Sequence, residues 1–251
     1  MFKAIQSGKA GRVDSKSGET VSWSEAFRAS EDLLTATVFE RLAYLSGPTL
    51  WAVLRETFGP VLPLYRVAEL REIEFWPRWS DTVTGGTVEP DVFIQFEVGD
   101  PSIHIDLIVE AKLGGAQYAH QWYRQWEALR ARNAPNEEQF AGTRKVYLLA
   151  IGGVGSSAAE LAARLKSEIL TVSDGKTALT AAAADWSRLY TALSAIDIFD
   201  SHTQRIVDDI RDALSLFGFR QGQELNTLGN FETMQNADQS LSVIRSLFWR
   251  A

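Results

Sequence analysis

The stretch that decides the fold is EPDVFIQFEVGDPSIHIDLIVEAKL, residues 89–113. It predicts two apolar strands joined by a Gly-Asp-Pro turn. Charged side chains stand at the strand ends: Asp91 opens the first strand, and Glu110 and Lys112 close the second. Strands of this composition are suited to burial, so three charges at their ends require a chemical explanation.

The spacing of these charges predicts that they meet. Side chains on a strand alternate between two faces, so Glu110 and Lys112 share a face, roughly 6.6 Å apart along the strand. A short turn makes the two strands an antiparallel pair, which brings Asp91 toward Glu110 at one end. Asp106 lies on the same face but about 13 Å back, too far to bind the same ion.

Two close carboxylates and a lysine suit one kind of chemistry. The carboxylates repel each other unless a cation lies between them, and oxygen ligands favour Mg²⁺ or Mn²⁺. A lysine beside such a metal can orient or deprotonate an attacking water, and the metal can polarise a phosphate. The combination suits phosphodiester hydrolysis. The simpler alternative is that Glu110 and Lys112 form an ordinary exposed ion pair at a strand end.

The acid-x-lysine triplet is weak evidence without its context. It occurs three times, at residues 14–16, 110–112 and 174–176. The first and third copies lie in Ser/Gly-rich turn sequence. Only the second ends an apolar strand, and only it follows a Pro-Asp pair, which occurs once in the chain.

The flanking sequence predicts helices on both sides of these strands. SEDLLTATVFERLAYL, residues 30–45, is amphipathic and has Ser30 in position to cap it. A second helix is expected from Pro48 to Gly59. We expect strands over 71–79, 88–97, 103–113 and 144–151, and helices over 116–133, 157–169, 185–195, 202–217 and 238–249.

The motif EPDVFIQF followed by LIVEAK resembles the PD-(D/E)XK nuclease superfamily. The resemblance covers roughly residues 30–151, and it implies an α/β restriction-endonuclease-like core of helix, three strands, helix and strand. It implies that Asp91 and Glu110 bind the metal, with the Ala111 carbonyl as a third ligand. It also implies that Lys112 positions the attacking water.

Two further residues enter through the same resemblance. Many members of the superfamily place a glutamate on the first helix, where this chain offers Glu31 as a metal or water ligand. Glu31 is in register with the apolar Leu34, whereas Glu40 lies elsewhere on the helix surface. Many members also carry a glutamine on the helix after the lysine, and HQWYRQW offers Gln121. The alternatives are that Glu31 is only a first-turn acid and Gln121 only a solvated polar residue.

Composition limits the partners and the compartment. The 251 residues include no cysteine, which excludes disulfides and thiolate zinc sites and fits a reducing cytosol. The N-terminus lacks a signal-peptide apolar region, and no apolar run approaches the ~20 residues of a membrane span. We therefore expect a cytoplasmic protein with no membrane partner.

Charge is unevenly distributed along the chain. The net charge is −7, yet residues 112–145 contain six basic and three acidic residues. A basic strip on an acidic body can contact phosphates. The resemblance to a nuclease superfamily implies that the partner is nucleic acid, with DNA as the expected form. Trp122 and Trp126, one helical turn apart, fit packing better than base stacking.

The domain boundaries follow from these patterns. We expect a loose N-terminal segment over residues 1–22 and a nuclease-like domain over 23–170. A helical extension over 171–251 is expected to pack on that domain. These C-terminal helices are also the expected surface for a second copy or a partner protein.

Two other function classes stay open. A nucleic-acid-binding or assembly protein can keep this fold without cleavage. A dinucleotide-binding protein is the third class, because Gly153-x-Gly155-x-x-Ala158 fits a G-x-G-x-x-A fingerprint after a strand, with Asp174 further on. The alternative for that segment is a flexible Gly/Ser turn, and the helical pattern after it leaves no strands for a doubly wound sheet.

Overall fold

A computed structural model describes residues 2–14, 18–134, 144–155, 157–173, 175 and 180–220 of the chain. The elements in chain order are α1 (Phe2–Gln6), β1 (Arg12–Asp14), β2 (Thr20–Ser22), α2 (Trp23–Arg28), α3 (Glu31–Leu42), α4 (Gly47–Phe58), β3 (Ala68–Phe75), β4 (Trp79–Ser80), β5 (Thr87–Val88), β6 (Val92–Val98), β7 (Ile103–Ala111), α5 (Ala119–Asn133), β8 (Arg144–Ile151), α6 (Ala158–Val172), β9 (Thr180–Ala184), α7 (Trp186–Ala195) and α8 (Ser201–Leu216).

The protein is a mixed α/β structure built on a five-stranded mixed sheet. The strand order is β3-β6-β7-β8-β9. The β3–β6 and β6–β7 pairs are antiparallel, whereas β7–β8 and β8–β9 are parallel. The carboxyl ends of β7, β8 and β9 therefore lie at the same edge of the sheet, which is where parallel sheets usually bind ligands.

Helices cover both faces of this sheet. The larger core joins α3, α4, α7 and α8 to one face, and includes Ile105, Leu107 and Val109 of β7. A second core joins α5, α6 and the β4–β5 hairpin to the other face, through residues such as Ile108. The alternation predicted for β7 is confirmed, because successive residues enter different cores.

The two helices before the sheet begin and end where the sequence predicts. The Ser30 side chain accepts a hydrogen bond from the Leu33 N–H at the start of α3. Pro48 lies in the first turn of α4, and Gly59 ends that helix with a positive φ. The apolar face predicted for α3 is buried against the sheet; its members are Leu34, Val38, Leu42 and Leu45.

The N-terminal segment differs from the loose chain expected over residues 1–22. Residues 2–6 form a helix, and β1 and β2 pair as a short antiparallel hairpin. Phe2 and Ile5 pack with Phe27 and Ala213, so apolar burial orders a segment whose Gly, Ser and Lys content suggested otherwise.

The region after residue 171 also differs from expectation, because it is not purely helical. Strand β9 adds to the sheet beside β8, with Leu149 opposite Ala182. The expected helices near 185–195 and 202–217 are present as α7 and α8. The expected helix over 238–249 lies outside the described residues. None of the described helices combines the length and apolarity that a bilayer crossing requires.

Candidate active site

The charged residues of the opening stretch meet at the carboxyl end of β7. Val92 of β6 pairs with Val109 of β7, which places Asp91 beside the end of that strand. The Asp91 Oδ2 accepts a hydrogen bond of 2.7 Å from the Ala111 N–H. The antiparallel pairing predicted from the Gly-Asp-Pro turn therefore brings Asp91 to the same place as Glu110 and Lys112.

The Lys112 ammonium lies at the centre of this group. Its Nζ is 2.7 Å from Glu110 Oε1, 3.4 Å from Glu31 Oε1 and 4.0 Å from Asp91 Oδ2. It also donates to the Ala111 carbonyl at 3.1 Å. One cation thus contacts carboxylates from α3, from the start of β6 and from the end of β7.

Glu110 is buried rather than part of an exposed ion pair, since its side chain is only 2% exposed. Gln121 Nε2 donates to its Oε1 at 2.6 Å, and Gln125 Nε2 donates to its Oε2 at 2.9 Å. Gln121 was expected near the site, but Gln125 was not. The available signal was the spacing of four residues, which puts both amides on one face of α5.

Glu31 reaches the site from α3, which packs on the face of the sheet opposite to α5. It is the first residue of α3, and its Oε2 accepts a hydrogen bond of 2.6 Å from the Leu113 N–H. It therefore contacts both the Lys112 ammonium and the backbone just beyond it. Glu40 is exposed on the same helix and is absent from the contacts around Lys112.

Burial and crowding shift the protonation of two of these groups. Burial, together with the nearby Glu110 and Glu31 carboxylates, raises the pKa of Asp91 to about 7 against the lowering effect of the Ala111 N–H and Lys112. Burial lowers the pKa of Lys112, but the surrounding carboxylates outweigh it and raise that pKa above its ordinary value. Lys112 is therefore a cation at neutral pH.

Backbone contacts at the strand end hold Lys112 in place. Its N–H donates to Ile151 O at 2.8 Å, and its carbonyl accepts a hydrogen bond of 2.9 Å from Trp186 Nε1. A Cβ added at Gly152 would overlap the Lys112 carbonyl oxygen and crowd the Trp186 ring. The absence of a side chain at Gly152 is therefore what lets the β8 end approach Lys112 so closely.

A buried glutamine ties the same strand end to α5. Gln117 Nε2 donates to Glu110 O at 3.2 Å and to Gly152 O at 3.3 Å. Its Oε1 accepts from Trp122 Nε1 at 3.2 Å. Sequence reasoning did not identify Gln117 or Trp186, because a single Gln or Trp in a loop or a helix carries no pattern that marks it as a support.

No ready-made metal cluster of three or more Asp, Glu or His side chains occurs among the residues that the structure describes. At the proposed site the Lys112 ammonium lies among the acids. Glu110 and Asp91 still offer the oxygen donors that Mg²⁺ or Mn²⁺ favours. A metal at this position would share the Glu110 carboxylate with the ammonium.

The basic strip over residues 112–145 is largely neutralised in space. Each of its four arginines lies beside an acid, either from the same helix or from another part of the chain. Two acids of the strip itself, Glu137 and Glu138, lie outside the described residues. The pairs are Arg124 with Asp81, Arg130 with Glu127, Arg132 with Glu74 and Arg144 with Asp106. Counting charge along the sequence therefore overstates the positive field of this surface.

Of the two tryptophans of α5, Trp122 packs in the core as expected, whereas Trp126 is half-buried beneath an arginine. Trp122 is 1% exposed and belongs to the core between α5 and the sheet. The guanidinium of Arg130 lies over the Trp126 ring, 5.7 Å from its centroid. Trp122 is thus inaccessible to a nucleic-acid base.

The glycine turn after β8 has a packing role. β8, α6 and β9 do form a parallel βαβ unit, which the sequence did not lead us to expect. However, a Cβ at Gly153 would overlap the Gly115 carbonyl, so the loop after β7 covers this part of the turn. Among the described residues, nothing lies within 4 Å of a Cβ built at Gly155, and Ser156 and Asp174 lie outside those residues. The close approach of protein backbone explains Gly153 without a bound dinucleotide.

The chain has a relative in Pasteurella multocida (strain Pm70). It is 32% identical over 222 residues to the uncharacterized protein PM0110, and the match covers 87% of this chain and 78% of that protein. The chain belongs to the PM0110 family. No family model and no solved structure matches it. The name of PM0110 states no activity, so the functional argument for this family rests on the geometry described above.

Proposed function

We propose that this chain is a Mg²⁺-dependent nuclease of the PD-(D/E)XK superfamily that hydrolyses phosphodiester bonds, with DNA as the expected substrate. The observation that carries the proposal is the meeting of Glu31, Asp91, Glu110, Lys112 and Gln121 around one point. These residues come from separate elements, and the resemblance to the superfamily assigns all five to one reaction centre. Restriction, repair and defence against phage are the pathways in which such an activity would fit.

The element order supports the proposal at the level of the fold. A restriction-endonuclease-like core needs a helix, three strands, a helix and a strand. Here α3 precedes β3, β6 and β7, which are followed by α5 and β8. The site lies at the carboxyl end of β7, where the parallel part of the sheet opens to ligands.

The donor set fits a hard divalent cation. Asp91 and Glu110 would hold it through carboxylate oxygens, with the Ala111 carbonyl as a third ligand and Glu31 as a ligand to a second ion or to water. The raised pKa of Asp91 indicates that negative charge is crowded here, and a divalent cation would relieve that crowding. Bound metal would lower the pKa of its water and polarise the phosphate.

The protein groups then have separate tasks. Lys112 is cationic, which suits it to orient the attacking water and to offset the charge that develops on the phosphate rather than to remove a proton. Gln121 and Gln125 each donate to a different oxygen of Glu110 and so fix its carboxylate plane. Glu31 fixes the backbone after Lys112 through the Leu113 N–H.

A noncatalytic nucleic-acid-binding or assembly protein is the second candidate, and one observation favours it. The Glu110 carboxylate already accepts hydrogen bonds from Lys112, Gln121 and Gln125. A buried carboxylate that is satisfied in this way can be a structural element that needs no metal. Cleavage is what separates the two candidates.

The test of the proposal is cleavage of circular, linear and single-stranded DNA with Mg²⁺ or Mn²⁺, against EDTA. We expect cleavage with the metals, none in EDTA, and at least about a 100-fold loss in Asp91→Ala. Glu40→Ala, at an exposed acid of α3, is the matched control and should cut like wild type. Wild type that binds DNA but cuts none of these substrates would favour the noncatalytic candidate.

A further inference from the structure

A cleft of about 470 Å³ opens beside the proposed reaction centre. It lies between the β5 end and the first half of α5. Two of its walls are Gln121 and Gln125, whose amides both donate to Glu110. The cleft therefore adjoins the acid at the centre of the site. The lining residues that bear on its chemistry are Glu89, Tyr118, His120, Gln121, Arg124 and Gln125.

Tyr118 supplies an aromatic surface on this cleft. It stands just before α5 and is 63% exposed, whereas Trp122 one turn later is buried. The exposed ring offers a flat apolar face to a ligand in the cleft. Every nucleic-acid base has a flat face that can stack on such a ring.

The polar groups of the cleft complement a nucleotide. Tyr118 caps α5 without a side-chain hydrogen bond, so the first amides of that helix remain suited to an anion. The Gln125 Nε2 donates to Glu110, which fixes this side chain in the wall of the cleft. The exposed His120 stands at the same end of the helix.

Two acids near the cleft, Glu89 and Asp81, each have an arginine partner, which weakens their repulsion of a phosphate. Arg78 Nε lies 3.0 Å from Glu89 Oε2. Arg124 Nε donates to Asp81 Oδ2 at 2.7 Å, which also anchors the β4–β5 hairpin to α5. Arg124 is thus part of the wall of the cleft, and Tyr118 is the better residue to vary.

We propose that this cleft binds one unpaired nucleotide next to the scissile phosphate, with its base stacked on Tyr118. The inference rests on the proposed nuclease function and gives it a substrate class. In a duplex the faces of each base are covered by its neighbours, so a protein ring can reach them only at a single strand, a frayed end or an extruded base. The favoured substrate is therefore single-stranded or locally unpaired nucleic acid.

The test uses a short single-stranded oligonucleotide that carries a fluorescent adenine analogue whose emission is quenched by stacking. Binding is measured in Ca²⁺, so that no cleavage is required. We expect the wild type and Tyr118→Phe to quench and bind alike, and Tyr118→Ala to lose the quenching and about 10-fold or more in affinity. Tyr44→Ala removes a comparably exposed ring from another surface, and it should behave like wild type.

The outcomes separate this inference from the nuclease proposal. Equal quenching and affinity in Tyr118→Ala and wild type would overturn the subsite, even if the protein cuts DNA. Loss of quenching only in Tyr118→Ala would support the subsite, even if no substrate is cut and the nuclease proposal fails. If cleavage occurs, Tyr118→Ala should raise KM for single strands more than it lowers kcat, and equal KM values would count against the subsite.

Discussion

The Lys112 ammonium is held by more carboxylates than one lysine can neutralise. It contacts Glu110, Glu31 and the more distant Asp91, and these acids keep it protonated. The site thus has a net negative charge that invites a divalent cation. In the proposed function, a bound divalent cation would offset this excess charge at the strand ends.

Glu31 and Glu40 give a matched test at the level of single residues. Both lie on α3, but only Glu31 contacts Lys112 and the Leu113 N–H. We expect Glu31→Gln to cut DNA about 10–100-fold more slowly, because its carboxylate orients the residue that acts on the water. Glu40→Gln should cut at the wild-type rate. Loss of activity in Glu40→Gln alone would mean that the wrong face of α3 has been assigned.

The raised pKa of Asp91 predicts a pH-dependent stability. The protonated form is favoured in the folded protein, so the contribution of Asp91 is fully present below its ordinary pKa of 3.8 and is lost as pH rises through about 7. We expect metal-free Asp91→Asn to melt a few degrees above wild type at pH 8, by less at pH 5, and nearly with it below the ordinary pKa of aspartate.

Mg²⁺ provides the second arm of this melting experiment. Mg²⁺ should raise the melting temperature of wild type at pH 8, because the ion binds only the folded state. It should leave Asp91→Asn almost unchanged, because asparagine lacks the carboxylate that would bind the ion. Parallel melting curves for the two proteins across this pH range would contradict the assigned charge crowding at Asp91.

Among the helices and strands, the sequence predicts some elements well and misses others. The α3, α4, β7 and β8 positions follow from caps, periodicity and apolar runs, and the predicted helix and strand bounds agree within a few residues. The TAAAA segment of β9 was not identified, because alanine favours helices. Pairing with β8 and burial against α6 override that preference.

The contacts that support the site were harder to predict than the motif. The PD and EAK residues are recognisable because their spacing along a hairpin is informative. Gln117, Gln125 and Trp186 act through hydrogen bonds to residues far away in the sequence. Such contacts depend on how α5 and α7 pack on the sheet, which local periodicity does not specify.

Gly152 and Gly155 give a matched pair at the scale of the β8–α6 turn. Both have a positive φ, so alanine costs about 1–2 kcal/mol of backbone strain at either position. Only at Gly152 would the new Cβ overlap the Lys112 carbonyl, and that overlap should add about 1–3 kcal/mol.

Denaturant unfolding measures the difference between these two variants. Gly152→Ala should lose clearly more free energy of unfolding than Gly155→Ala, and its cleavage should slow because the Lys112 backbone moves. Equal losses of stability in the two variants would show that the strand end does not depend on the close approach at Gly152.

The whole molecule is acidic, and its arginines near the site are largely paired with acids. Binding of nucleic acid should therefore depend on a few local contacts rather than on a broad positive field. Lys112 contributes little to such a field, since a single phosphate contact adds about one unit to the slope of log affinity against log salt.

Comparison of binding and cleavage in Lys112→Ala tests the central claim most directly. Binding is measured by a gel shift in Ca²⁺, and cleavage is measured in Mg²⁺ on the same DNA. The account predicts near-normal binding and a cleavage rate reduced about 10²–10⁴-fold, because Lys112 acts on the chemical step. A fall of binding and cleavage by the same factor would contradict the account, since Lys112 would then be only a phosphate contact.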